Sequence, residues 1–198
     1  MKKLVAIMFA VFMLAGAAHA DIFLGVKGGV GEQEDNLKDI VSNNYSYSDS
    51  KSIIGAEAGI ETHGDSKHRF GLKAGLNSYG KIDSEDKSID KDLVLKNTLS
   101  VPLTVYYKYA PKDTGVHLWI GAGATWASLK FQDDIKDVND TESQIFPHAA
   151  AGIEWRIIEL IGIGIDLTYN FDAKVKSHGM YRDFTGLEGM AAVRLYLF

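Results

Sequence analysis

The side chains best suited to chemistry in this chain lie late in the sequence. His148 falls in an alternating stretch, Gln144 to Ile157, that sets it on one face with Glu154 and Arg156. An imidazole beside a carboxylate is the start of a general-base pair. With a hydroxyl nucleophile it would suit hydrolysis or transfer of an acyl chain. Ser143 is the nearest serine, and Ser177-His178 follows later, but neither spacing forms a catalytic motif. No catalytic residue is assigned, and His148 reads as structural. A second constellation is acidic: Asp133, Asp134 and Asp137 stand close together in a polar stretch. Oxygen ligands of this kind suit Ca²⁺ or Mg²⁺, yet the spacing lacks the Gly and the closing Glu of a calcium loop. The three are kept only as candidate cation ligands, and no cofactor is expected.

Composition narrows the partners. The chain has 198 residues and no Cys, which removes disulfides and thiolate chemistry. A formal net charge of −5 leaves no basic excess for phosphate backbones, so nucleic acid is not a partner. Gly is abundant at 20 and Pro scarce at 3. Mean hydropathy is close to zero.

The elements that position these side chains repeat with period two, the period of β-strands. Eight such stretches run at about Asp21–Gly31, Lys51–Thr62, His68–Tyr79, Leu93–Tyr109, Gly115–Lys130, Gln144–Ile157, Ile161–Phe171 and Phe184–Phe198. One face of each is apolar and uncharged; the clearest is Ile161, Ile163, Ile165, Leu167, Tyr169 and Phe171. The opposite faces carry Lys27, Glu57, Glu61, Arg69, Lys73, Lys108, Glu154, Arg156, Asp166, Glu188 and Arg194, interspersed with glycines. Five acids thus stand against six bases. Charge outside and apolar residues inside would make a soluble lipocalin-like barrel. Continuous apolar faces with a near-balanced charged face predict the inverse, an apolar exterior in lipid around a charged lumen. A Lys or Arg on the lipid face costs about 2–4 kcal/mol at mid-membrane, which explains the charge-free faces.

The connections alternate in length. Short ones fall at His63–Lys67, Ala110–Thr114 and Ile158–Glu159. Long polar ones fall at Gly31–Ser50, Gly80–Asp92, Phe131–Ser143 and Ala173–Asp183, and the first three of these are acidic. An even strand count with this rhythm puts both termini on the periplasmic side, short turns there and long loops outside.

The ends of the chain agree. Lys2 and Lys3, the apolar run Leu4 to Gly16 and Ala18-His19-Ala20 form a cleavable export signal before Asp21. The run is short for an anchoring helix, so residues 1–20 are expected to be removed and 21–198 to fold as one domain. Removing Lys2 and Lys3 lowers the net charge to −7. The chain closes on Tyr196-Leu197-Phe198.

Taken together, the alternation, the loop rhythm and Tyr196-x-Phe198 resemble the small eight-stranded bacterial outer-membrane barrels, similar to outer membrane protein X or the barrel half of outer membrane protein A. The resemblance implies an all-β, closed, antiparallel up-and-down barrel. It also implies that Tyr196 and Phe198 form a signal read by the barrel-assembly machinery. Counting by twos groups Arg194, Tyr196 and Phe198 on one face, so a charge and the terminal aromatic compete for lumen and lipid.

The function expected is a structural or surface-interaction barrel with a lumen filled by side chains. Its partners are outer-membrane lipid and lipopolysaccharide, and the external loops are the surface a ligand would meet. The alternatives are a porin-like channel for small solutes and a lipid-modifying enzyme.

Overall fold

A computed structural model describes residues 20–32, 34–35, 45–48, 52–62, 67–80, 82–86, 91–133, 138–177 and 180–197. Residues 1–19 and Phe198, which carry the export signal and the terminal aromatic, lie outside the described residues, as do Asp134 and Asp137.

Eight long strands form the body: β1 (Ala20–Gly31), β2 (Ser52–Thr62), β3 (His68–Tyr79), β4 (Lys91–Tyr109), β5 (Gly115–Asp133), β6 (Val138–Ile158), β7 (Ile161–Asn170) and β8 (Gly186–Leu197). Each pairs antiparallel with its neighbours in sequence. The ladder closes where β1 meets β8, from Ile22 opposite Leu197 to Gly31 opposite Glu188. Closure leaves no free edge in the body, as an up-and-down barrel requires. One end holds Ala20, Leu197 and the described turns 110–114 and 159–160; we call it the terminal end, and the other the hairpin end.

The hairpin end is more regular than its polar composition suggests. The stretch Phe131–Ser143, expected as a long loop, is mostly strand: β5 runs to Asp133 and β6 starts at Val138, directly opposite it. Within Gly80–Asp92, Ile82–Asp86 pairs with Leu95 to Lys91 of β4 and with Tyr45–Ser48. Lys174–Ser177 pairs with Met180–Asp183, which in turn pairs with Glu34–Asp35. Beyond the membrane backbone N–H and C=O groups can pair with water or with a neighbouring strand. Continuing the ladder satisfies them whatever the side chains, so composition alone reads these segments as loops.

The two faces of the wall sort by chemistry. Outward side chains are apolar and exposed, among them Val26, Ile54, Phe70, Val105, Ile120, Trp155 and Ile165. Ile60 alone of the apolar positions chosen from sequence is buried, at 8% exposure, although it keeps the outward register. Exposed rings cluster at both margins: Trp126, Tyr169 and Phe171 toward the hairpin end, and Phe70, Tyr109 and Trp155 toward the terminal end. Val116 and Trp126 bound this band on β5. At about 3.3 Å per residue and a strand tilt of about 40°, the interval spans about 25 Å, the height of an outer-membrane barrel's apolar band. Among the described residues no helix is long and apolar enough to cross a membrane; the strands are what cross.

Candidate functional site

The lumen is the site, because alternation aims every second side chain into it. Each of Lys27, Glu57, Glu61, Arg69, Lys73, Lys108, Glu154, Arg156, Asp166, Glu188 and Arg194 is buried there, none more than 9% exposed. They form layers along the barrel axis.

The layer at the terminal end is built on Glu61. Arg69 Nη1 lies 3.3 Å and Arg156 Nη2 3.4 Å from Glu61 Oε1, while Lys108 Nζ lies 2.6 Å from Oε2. Asp21 joins the same two arginines at 3.5 and 3.6 Å. Sequence reading treats Asp21 only as the first residue after a cleavage site; its alternation with Phe23 and Lys27 was the available signal. Arg69 also reaches Asp113 in the β4–β5 turn at 2.6 Å.

Above it lies an aromatic layer. Phe23, Tyr106, Trp119 and Tyr196 are all buried. Three of these rings lie flat on glycines directly across the ladder: Phe23 opposite Gly59, Tyr106 opposite Gly71 and Trp119 opposite Gly152. A Cβ on any of the three glycines would fall 2.3 to 2.4 Å from the ring. These three glycines therefore make room for rings. Arg156 stacks 3.5 Å from the centroid of Tyr196, and Lys73 sits 3.8 Å from that of Trp119. Such cation–π contacts strengthen when desolvated.

The central layer turns on Arg194. Its Nε donates to Glu57 Oε1 at 2.6 Å, its Nη1 to Glu154 Oε2 at 3.0 Å and its Nη2 to Asp166. Lys73 Nζ lies 3.1 Å from Asp166 Oδ2 and 3.6 Å from Glu57 Oε2, with Lys27 Nζ 3.9 Å from the same oxygen. The competition at the last strand is thereby decided for the described residues: Arg194 and Tyr196 both point inward, while Leu195 and Leu197 face out. A buried charge is costly unless paired and hydrogen-bonded, and the lumen offers both.

Toward the hairpin end the lining becomes mostly uncharged, with Glu188 as the exception. His148 is held between two threonines, Nε2 at 2.9 Å from Thr104 Oγ1 and Nδ1 at 2.9 Å from Thr125 Oγ1. It is not beside Glu154, whose partners are Lys108, Arg194, Tyr196 and His117. The shared face therefore does not make a general-base pair, because two residues of one strand face separate by about 7 Å per step along it. Tyr79 donates to Glu188 Oε1 at 2.9 Å and lies 3.0 Å from Ser100 Oγ. Beyond them lies an apolar layer: Ile53, Tyr79, Leu129, Phe146 and Met190 from the wall, with Ala173, Val175 and Phe184 from the β7–β8 connection. The interior keeps two small cavities, of about 20 and 10 Å³. The smaller is enough for about one water molecule. Among the described residues no group of three His, Asp or Glu side chains could hold a metal ion. Asp133 ends β5 opposite Val138.

A family model described as the outer membrane protein beta-barrel domain matches residues 4–191. The chain belongs to that family. Solved outer-membrane barrels share the fold. The N-terminal barrel domain of OprF from Pseudomonas aeruginosa superposes with a TM-score of 0.52 at 10% identity, over 89% of this chain and 97% of that one. OprG from the same organism gives 0.57 at 11%, over 91% and 96%. Ail, the attachment invasion locus protein of Yersinia pestis, gives 0.56 at 12%, over 90% and 99%. A search of curated proteins by sequence finds no match. Membership of the outer-membrane barrel family accounts for the inverted faces: lipid replaces the core outside, and the charges fill the space inside.

Proposed function

We propose that this outer-membrane barrel serves a structural or surface-interaction role with a non-conducting lumen. The observation that carries the reading is the filling of the lumen: among the described residues charged, aromatic and apolar layers occupy it, and the cavities between them are small, about 20 and 10 Å³. Eight strands enclose an interior just wide enough for side chains to fill. A porin-like channel needs a continuous aqueous path, and the Arg194 layer and the apolar layer each interrupt one. The lipid-modifying alternative lacks support because His148 is engaged by Thr104 and Thr125 inside the lumen rather than at the bilayer edge.

On this reading residues 1–20 are an export signal, both termini are periplasmic, and the hairpin end meets the outside beside lipopolysaccharide. Tyr196 and Phe198 are the part of the closing strand that the barrel-assembly machinery reads. The test is single-channel recording of the purified barrel in planar bilayers. Silence under conditions where a porin control opens is the expected result; stable openings that pass small sugars would overturn it.

A further inference from the structure

We propose that the β7–β8 connection is a lid over a polar, dead-end pocket that opens toward the hairpin end. The proposal rests on the closed-lumen reading and says which closure moves.

The connection has two described arms, Lys174–Ser177 and Met180–Asp183, paired with each other. They are tied into one piece by Phe184 N–H donating to Ala173 O at 2.9 Å and Ala173 N–H donating to Thr185 Oγ1 at 2.9 Å. The piece leaves and rejoins the wall through two left-handed residues, Asp172 at φ 47° and Gly186 at φ 131°. Such positions turn a chain sharply inward instead of continuing a hairpin outward, and they are favourable only where a short polar residue or glycine stands. Between them the lid puts Ala173, Val175 and Phe184 into the mouth of the lumen, all at most 1% exposed. Arg182 Nη1 latches the far side by donating to Gly80 O at 2.8 Å.

Beneath the lid the chemistry changes abruptly. The larger cavity is bounded by Asn77, Ser100, Thr104, Thr125 and His148, with Glu57, Lys73 and Asp166 as its floor. Among the described residues three acceptors on this lining have no hydrogen-bond partner: Asn77 Oδ1, Asp166 Oδ1 and Glu57 Oε2, the last with only the longer ion contacts to Lys73 and Lys27. All three residues are at least nine-tenths buried. Unsatisfied acceptors at a cavity ask for a donor, and the resting volume of about 20 Å³ admits water and little else. The apolar seal therefore confines a hydrated chamber, and the Arg194 layer closes the chamber below. Lifting the lid exposes a pocket whose lining accepts small hydrogen-bond donors, water or an ammonium group, without creating a through-channel.

The chain contains no Cys, so Ser100→Cys places a single thiol in the chamber. The experiment measures its reaction with a charged maleimide in lipid nanodiscs, with Lys130→Cys as the exposed control. Under the native lid the chamber thiol should react far more slowly than the control. Phe184→Ala removes the main ring of the seal. Gly186→Ala strains the second left-handed turn, where a Cβ would lie 2.5 Å from Glu32 Oε2. In either variant, shown to be folded by circular dichroism and heat-modifiable gel migration, the rate should rise on the order of tenfold or more, because losing the buried Phe184 ring or straining the turn at Gly186 lowers the cost of opening the lid. An unchanged rate in the folded variants, or a native-lid rate equal to the control, would overturn the lid. Bilayer conductance by a lid variant would overturn the dead-end pocket and show that the central charged layer is no barrier. Conductance by the native barrel would instead count against the closed lumen itself.

Discussion

Tyr196 donates its hydroxyl to both oxygens of Glu154, at 2.8 and 2.7 Å, across 42 residues of sequence. Tyr196 belongs to the closing strand β8 and Glu154 to β6, so the bond crosses the lumen over β7. Hydrogen bonds to charged groups contribute roughly 1.5–3 kcal/mol. Tyr196→Phe keeps the ring on Phe23 and under Arg156 and removes only the hydroxyl. It should lower unfolding stability in urea by that order while leaving insertion intact. A midpoint and slope equal to the parent's would show that the bond contributes nothing net.

Arg194 touches three buried carboxylates, Glu57, Glu154 and Asp166, whereas one of the three that Arg69 touches, Asp113, is exposed. Arg194→Met should cost more than any other single change in the lumen, about 3–5 kcal/mol, because breaking a buried pair leaves uncompensated charge behind. Lys27→Met removes a longer contact, 3.9 Å to Glu57, and should cost clearly less. Equilibrium unfolding of the two variants side by side checks the ranking.

On the outer wall the cost of a charge should follow depth. Ile120 lies mid-band and is 63% exposed; Val116 lies at the terminal margin and is 53% exposed. Ile120→Lys should destabilise the barrel by about 2–4 kcal/mol in bilayers, and Val116→Lys by about 0–1 kcal/mol. Equal costs at both positions would mean that the apolar band is not where the lipid lies.

The lid carries its own dependence on pH. Partial burial raises the pKa of Asp183, but hydrogen bonds from Thr185 and contact with Lys174 outweigh it and hold the carboxyl below its ordinary value. A carboxyl depressed in the folded state stabilises above its unfolded pKa, and that contribution is lost as pH falls through the folded value. Hydrogen exchange in Lys174–Ser177, corrected for intrinsic rates, should therefore speed up below about pH 4. In Asp183→Asn that extra acceleration should vanish; its persistence would assign the effect to another group.

Deleting Phe198 tests the closing signal separately from the lumen. Export and processing after Ala20 should continue, with mature chain collecting in the periplasm. Unchanged outer-membrane levels would leave the terminal aromatic without a part in assembly.

How much of this was readable beforehand depends on range. Alternation is a local property with a large physical penalty behind it. A charge cannot face lipid cheaply, so Ile161 to Phe171 declares its outward face, and Lys27, Glu57 and Arg194 declare theirs. Strand number, turn positions and the buried charges follow from that local rule. Which charges meet does not, because partners such as Glu154 and Tyr196, or Asp21 and Arg156, are joined by closure and strand stagger rather than by spacing. The aromatic layer was legible only in part: Phe23, Tyr106 and Trp119 alternate inward, but that each needs a glycine opposite depends on register.

The sequence by itself determined an eight-stranded barrel with its apolar side outward, since lipid selects residue by residue. Only the tertiary structure decided that apolar side chains gather across the lumen at the hairpin end. Ile53, Leu129 and Phe146 fall on the inward face that sequence reads as charged or polar, Ala173 and Val175 in the connection Ala173–Asp183 that reads as a polar loop, and Phe184 at the start of the last strand stretch. They become an apolar layer only because β7 and β8 are joined through Asp172 and Gly186, two left-handed turns that fold the connection back into the lumen. Burying those side chains against one another removes apolar surface from water, and no local pattern reveals that they meet.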